Sequence, residues 1–359
     1  MTIRNVAAAT LAGCAAAGAW AQSSLTMAGV IDTAARQVHN AGRPSLSSLV
    51  SGGNATSRLI FRGVEDLGDG MLASFHLESG LLLDTGTQAA TSYFDRRSTV
   101  SLSTPTLGEL RAGRDYVPTY ANWTRFDPFS YVGVAGSTNL LSNTPQGPVR
   151  AAFGSSPNPN TLVRANNTVQ WLLPGGWGGL EGGVMVGARE GGASADGQQQ
   201  VQGLRLGYAS KTFSAGAALN QTESNLTPLG RFKDVSVGAS QDFGVARVSA
   251  AWRKLSYGPA SQTNLMLGLW WPVAGGEVKA SWQRANLDGR VGSTAIQAND
   301  ASQWGLGYVY TLSRRSVLYA SCARIANRAG ATFAVPGGAS GLSAGGASSG
   351  YEVGVRHSF

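Results

Sequence analysis

Residues 303–312 set Trp304, Leu306, Tyr308, Tyr310 and Leu312 on one face of an extended chain, with Gln303, Gly305 and Gly307 on the other. That period of two makes a strand with one apolar and one polar face. Leu265, Leu267, Leu269 and Trp271 repeat the pattern, and Val248, Ala250 and Trp252 oppose Arg247, Ser249 and Arg253. It runs to the end of the chain, where Tyr351, Val353, Val355 and Phe359 alternate with Glu352, Gly354, Arg356 and Ser358. A soluble β-sandwich would bury such faces between two sheets, and it has no use for arginines opposite them on so many strands. A transmembrane β-barrel has a use for both faces, apolar toward lipid and polar toward a lumen.

No run after Ala21 approaches the ~20 apolar residues of a membrane helix. Charged residues are 13% of the chain, low against about 25% in a soluble globular domain. Glycine, 49 of 359 residues, suits turns, a barrel interior and a tight subunit interface. Met1 to Ala21 has Arg4, an Ala-rich apolar stretch and an Ala19-Trp20-Ala21 cleavage site. This predicts a secretory signal peptide over 1–21 and an exported domain over 22–359. Leu11-Ala12-Gly13-Cys14 resembles a lipoprotein cleavage box, but the apolar segment before Cys14 is very short. Cleavage after Ala21 leaves Cys322 alone, so no intrachain disulfide is expected.

Sixteen strands are predicted. They are Leu25–Val38, Ser57–Leu67, Leu72–Leu83, Arg96–Pro105, Glu109–Val117, Asn167–Leu173, Leu180–Glu190 and Val201–Ser210, then Phe213–Ser224, Arg231–Phe243, Val245–Tyr257, Thr263–Val273, Gly276–Leu287, Ala301–Leu312, Ser316–Asn327 and Tyr351–Phe359. An even number of strands, most near the ~9–11 residues needed to cross a bilayer, is expected of a bacterial barrel. Tight turns such as 67–70, 243–244 and 312–315 alternate with long polar loops at 39–56, 288–300 and 328–350. Short turns on one rim and long loops on the other are a barrel's asymmetry.

The net charge of +8 comes from 28 Lys and Arg against 20 Asp and Glu. Only Lys211, Lys233, Lys254 and Lys279 are lysine. The arginines stand singly within alternating strands, with no basic run or aromatic–basic motif, so no nucleic-acid partner is expected.

Three segments carry a family resemblance. Ser57-Arg58-Leu59-Ile60-Phe61-Arg62-Gly63-Val64-Glu65-Asp66-Leu67-Gly68-Asp69-Gly70 is similar to the second strand and turn of Gram-negative general porins, especially the β-proteobacterial type. Phe94-Asp95-Arg96-Arg97-Ser98-Thr99-Val100-Ser101-Leu102 and Leu110-Arg111-Ala112-Gly113-Arg114-Asp115-Tyr116 resemble later segments of the same family. The resemblance implies an all-β, 16-stranded antiparallel barrel in the outer membrane, assembled as a homotrimer, with a loop after the fifth strand folded into the pore. Here that loop is 118–166, and Trp123-Thr124-Arg125-Phe126-Asp127-Pro128-Phe129 is similar to the tip of the family's constriction loop. Asp127 is the loop's only acid and is expected on the negative side of the constriction. The opposing basic wall is expected from Arg58 and Arg62, which share a face, from Arg96 and Arg114 by motif, and from Arg36 beside Asp32. Arg97 is expected to face away from Arg96.

The resemblance further implies passive diffusion of small hydrophilic solutes, and the excess of Arg58, Arg62 and Arg96 over Asp127, with Arg36 offset by Asp32, predicts a preference for small anions. It implies contact with outer-membrane lipid and lipopolysaccharide, and recognition of Phe359 by the barrel-insertion machinery. The small outward residues Gly29, Thr33 and Ala35 of the first strand fit a wall shared between subunits. A contrasting reading is a structural or adhesion barrel whose long loops bind a partner. No enzyme, cofactor or metal is expected. Ser74, His76 and Glu78 share a face, but a strand spaces them about 6.5–7 Å apart, too far for a nucleophile and its base. Cys322 with a distant histidine makes no metal set.

Overall fold

The computed structural model describes residues 23–141, 146–154, 160–189, 199–225 and 227–359. The signal-peptide expectation for 1–21 and Cys14 lie outside the described residues. The chain forms a closed antiparallel barrel. Its wall strands are β1 (Ser24–Asn40), β2 (Arg58–Gly68), β3 (Met71–Leu82), β4 (Arg97–Thr104), β5 (Gly108–Tyr116), β6 (Arg164–Leu172), β7 (Leu180–Gly187) and β8 (Gln200–Ala209). The wall continues through β9 (Phe213–Glu223), β10 (Phe232–Asp242), β11 (Arg247–Tyr257), β12 (Ala260–Val273), β13 (Gly276–Val291), β14 (Ala301–Thr311), β15 (Ser316–Asn327) and β16 (Ser348–Ser358). Each corresponds to one of the sixteen strands expected from alternation. Three short ribbons, at 46–51, 87–88 and 294–295, belong to loops rather than to the wall.

Closure is complete in hydrogen bonds. β16 pairs with β1 from Val30–Ser358 to Asn40–Ser348. One step further the Gly29 and Phe359 backbones exchange N–H···O bonds of 3.0 and 3.1 Å. Phe359 points to the lipid side, where its ring covers Gly29; a Cβ at Gly29 would lie 2.5 Å from the ring's Cζ. The small size of Gly29 therefore has a cause within the subunit, whether or not that wall meets a neighbour.

The alternation divides as expected. Leu265, Leu267, Trp271, Trp304, Leu306, Tyr310, Val353 and Val355 are exposed on the outer face. Their strand neighbours Asn264, Met266, Gln303, Glu352 and Arg253 are buried inside.

The segment after β1 departs from the expected long loop over 39–56. The 46–51 ribbon pairs with the upper half of β1 and β2 pairs with the lower half, so one wall strand is interrupted. Across the interruption, residues 52–57 turn inward. The cause is Asp32, whose buried carboxylate accepts the backbone N–H groups of Gly53, Asn54 and Ala55 at 3.0, 3.0 and 2.7 Å. Tyr319 donates its hydroxyl to the same carboxylate at 2.5 Å.

Apolar cores also lie inside the barrel. Phe333 and Val335 of the last loop and Ile296 pack with Phe129, Val134, Ala135 and Leu140 against β12 to β15 and Val38 of β1. A second cluster joins Trp123, Phe126, Leu141 and Phe153 to Phe232, Leu255 and Met266. The loops thus line one side of the lumen with their own core. Gly29→Val should displace the Phe359 ring and lower the yield of folded barrel. Gel mobility with and without boiling measures that fraction, and a yield equal to the native chain's would show that the ring does not seal the seam.

Candidate functional site

After β5 the described residues among 117–163 fold into the lumen, with α1 (Pro118–Thr124), α2 (Thr138–Leu141) and α3 (Pro148–Phe153) along the way. Pro118 and Pro148 each begin a helix, where a missing N–H costs nothing. The turn between α1 and α2 carries Ser130 and Tyr131 at φ +51° and +71°, an uncommon conformation for residues with a Cβ. Asp127 holds it. Its carboxylate accepts the backbone N–H of Phe129 and Tyr131 at 2.9 Å each and that of Ser137 at 3.2 Å. The Ser137 hydroxyl adds a bond of 2.5 Å.

Asp127 is only 2% exposed. Burial pushes its carboxyl above the usual carboxylate range, against the pull of these four hydrogen bonds. This corrects the expectation that Asp127 faces the pore; its carboxylate organises the loop from within.

The loop is seated along the wall from β8 to β16. Thr119 donates to Asp234 at 2.6 Å, and Arg253 pairs with the same carboxylate at 2.6 and 2.9 Å, both members of the pair wholly buried. Ser249 donates to the Phe126 carbonyl at 2.7 Å, Gln262 to that of Leu140 at 2.6 Å and Gln303 to that of Ala135 at 2.9 Å. The Val134 N–H donates to Glu352 at 3.1 Å, and Arg36 holds Glu352 from the far side at 2.7 and 2.9 Å. Space for the loop comes from inward glycines. A Cβ at Gly238 would strike the Phe126 ring, one at Gly268 the Pro128 ring and one at Gly305 the Ala135 methyl. Gly133, at φ +74°, lies against the Gly53 carbonyl, so the loop also rests on the inward turn after β1.

Arg36 faces inward as expected but belongs to this seat. It is buried, and its ion partner is Glu352 rather than Asp32.

The facing wall is cationic. Arg58 and Arg62 project inward beside β3, paired across the sheet with Gly80 and His76. Glu78 collects Arg96 at 2.5 Å and Arg58 at 3.4 Å. Arg62 Nε donates to His76 Nδ1 at 3.1 Å, which leaves His76 Nε2–H to donate to Glu78 at 3.2 Å. Arg97 pairs opposite Glu78 and therefore also faces inward, toward Asp115 at 3.6 Å. Arg96 lies before β4 begins, so strict alternation does not bind it, and the expected opposition of the two arginines does not occur. Arg114 pairs with Ser98, on the face away from Arg97 and Thr99. It donates to the Asp95 carbonyl at 2.7 Å and to Asn166, so it ties loop to wall instead of lining the lumen.

Sequence reasoning missed Arg164 and the tyrosines beside it. Arg164 lies 4.7 Å over the Tyr116 ring, and Arg96 and Arg164 both donate to the Tyr116 hydroxyl, at 3.0 and 3.3 Å. Tyr116 stacks on Tyr120 of α1 at 5.1 Å, and Tyr120 meets Tyr131 edge-on. Burial and the neighbouring Tyr116 push the Tyr120 hydroxyl up to about 12, so it stays neutral. Beside Arg96 the loop thus presents an uncharged phenol.

Among the described residues no hydrogen bond joins Ser74 to His76, and His76 is occupied by Arg62 and Glu78. No metal-holding cluster of His, Cys, Asp and Glu occurs among the described residues.

Asp127→Ala should loosen the loop turn. The expected outcome is a broadened distribution of single-channel conductance in planar bilayers; a distribution as narrow as the native one would deny Asp127 its organising role. Arg253→Met leaves Asp234 buried without its ion partner, a change that costs about 3–5 kcal/mol. The midpoint of guanidinium unfolding in detergent should fall accordingly, and an unchanged midpoint would refute the anchor.

A model of the Gram-negative porin family matches residues 7–330. The outer membrane porin protein 32 of Delftia acidovorans is 35% identical over 367 residues, covering 99% of each chain. The solved anion-selective porin from Comamonas acidovorans is 33% identical with a TM-score of 0.80, over 94% of this chain and 100% of that one. OmpT of Vibrio cholerae, solved in a trimer form, has a TM-score of 0.62 at 12% identity over 94% and 99% of the two chains, a likeness of fold alone. With the closed barrel, the inward loop and the cationic wall, these relatives show that the chain belongs to the Gram-negative porins of the outer membrane, a family of channels rather than enzymes.

Proposed function

We propose that this barrel is a passive, anion-preferring channel for small hydrophilic solutes, with selectivity set by Arg58, Arg62 and Arg96. The carrying observation is an imbalance at the narrowed lumen. Arg58 and Arg96 share one acid, Glu78, and Arg62 reaches it only through His76, while the loop's only acid is buried and Tyr120 is neutral. The positive field in a narrow low-dielectric passage enriches anions and repels cations. The similarity to a porin described as anion-selective supports the same reading.

Assembly as a homotrimer within lipid and lipopolysaccharide completes the proposal. OmpT of Vibrio cholerae is solved as a trimer, and β1 carries the small outward residues Thr33 and Ala35. The exposed aromatic Phe359 at the seam is the feature that insertion machinery would read.

Arginine stays protonated throughout the physiological range, so the preference should be constant from about pH 5 to 8. It should weaken as salt rises, because charge is screened over ~10 Å at 0.1 M and ~3 Å at 1 M. Replacing Arg58 and Arg62 together with glutamine should move the reversal potential in a KCl gradient toward cations. Cation preference in the native channel at low salt, or no response to the double substitution, would overturn the assignment.

A further inference from the structure

A second set of inward cations stands near the tight-turn ends of the strands that seat the loop. Arg205 lies near the end of β8, Arg247 opens β11, Lys279 is near the start of β13 and Arg356 near the end of β16. Arg125 joins them from the loop, directly after α1. The five are linked in an arc. Arg205 reaches Glu181 of β7 at 2.5 Å, and Arg125 pairs with the same oxygen. Arg247 donates to the Arg125 carbonyl at 3.2 Å and lies 3.9 Å over the Trp270 ring. Cross-strand pairing sets Arg247, Trp270 and Lys279 in one row. Lys279 lies within electrostatic reach of both Arg247 and Arg356, and Arg356 donates to Asn54 of the inward turn at 2.7 Å.

The acids facing this arc are Glu181, Glu277, which is 3.8 Å from Lys279, Asp242, paired across from Arg247, Asp32, paired across from Arg356, and Asp127, within electrostatic reach of Lys279. The carboxylates of Asp32 and Asp127 are buried and already occupied by backbone N–H groups and hydroxyls. Arg205, Arg247 and Arg356 also each hold a buried Nε–H without a hydrogen-bond partner.

We propose that Arg125, Arg205, Arg247, Lys279 and Arg356 form a second anion site at the tight-turn mouth of the pore, selecting small oxyanions over chloride. The donor geometry favours that class. A guanidinium presents a planar fork of donors to two oxygens of a carboxylate, phosphate or sulfate, an arrangement chloride cannot exploit. Stacking on Trp270 holds Arg247 flat and limits the directions its donors take. The site rests on the channel reading above but not on the selectivity assigned to Arg58 and Arg62.

The test uses the full-length exported protein in planar bilayers, with chloride current recorded in about 0.1 M KCl, where screening leaves the site within one Debye length. Potassium sulfate is added to one side at a time, because sulfate is a dianion at every working pH. In the native channel sulfate should reduce chloride current more strongly from one side than from the other. In the triple variant R247Q/K279Q/R356Q the half-blocking concentration from the sensitive side should rise about tenfold. The reversal potential in a KCl gradient should still report anion preference, because Arg58 and Arg62 remain. Equal sulfate block in native and triple-variant channels would overturn the site, as would equal block from both sides of the native channel. If the triple variant does not insert, R356Q and K279Q singly should each weaken the block, and block unchanged in both would overturn the site. A native protein that conducts no ions would instead remove the channel reading itself.

Discussion

Every backbone N–H and C=O that meets hydrocarbon must be paired within the protein, and this requirement governs the rest of the molecule. A sheet in lipid can satisfy it only by closing on itself. The β1–β16 ladder does so, and the pairing of Gly29 with Phe359 carries it to the last residue of the chain. The same closure fixes which face of each strand meets lipid, because a slip of one residue would turn every side chain over. Leu265 and Leu267 are thereby committed outward, and Met266, Asn264 and Arg253 inward.

Closure then creates a second demand. Sixteen strands enclose a lumen too wide for side chains to fill, and the chain fills one side of it with loop. Loop backbone inside a barrel needs partners of its own. Here they are wall side chains: Ser249, Gln262 and Gln303 donate to loop carbonyls, and Glu352 accepts from Val134. Inward glycines set the depth of the seat. Polar wall residues that would pass as pore lining in a sequence are here the hydrogen-bond complement of a docked segment. The loop is built in turn around one buried carboxylate, Asp127, which matches four donors that would otherwise lack partners.

The barrel was legible in the sequence because its cause, period-two alternation against lipid, is local. All sixteen wall strands follow from it, as do the inward directions of Arg58 and Arg62. The site was less legible because a charge acts through its partners, and partners are set by tertiary contact. Arg36 and Glu352 are 316 positions apart, and nothing near either residue announces the pair. Asp127 reads as a pore acid by motif, yet the turn that buries it depends on Ser137 ten residues later. Arg114 follows Gly113, where the β5–β6 register shifts, and neither motif nor simple counting reveals the face it takes. The break after β1 is equally hidden, since it needs Asp32 to collect three backbone donors from residues 53–55.

The distribution of acids therefore says more about the pore than the number of arginines. Buried pairs such as Arg253–Asp234 and Arg36–Glu352 are neutral as units and hold the loop in place. Where several cations share one carboxylate, as at Glu78 and again at Glu181, the surplus charge is left to the lumen. One residue type thus does two kinds of work, set by the ratio of cation to acid at each position. The loop can be anchored through charge without cancelling the lumen's field, because its anchoring acids are matched by their own arginines and its one internal acid is shielded by backbone donors. Selectivity and architecture draw on the same side chains yet remain separable, which is why a chain of net charge +8 can be both rigid inside and cationic along its water path.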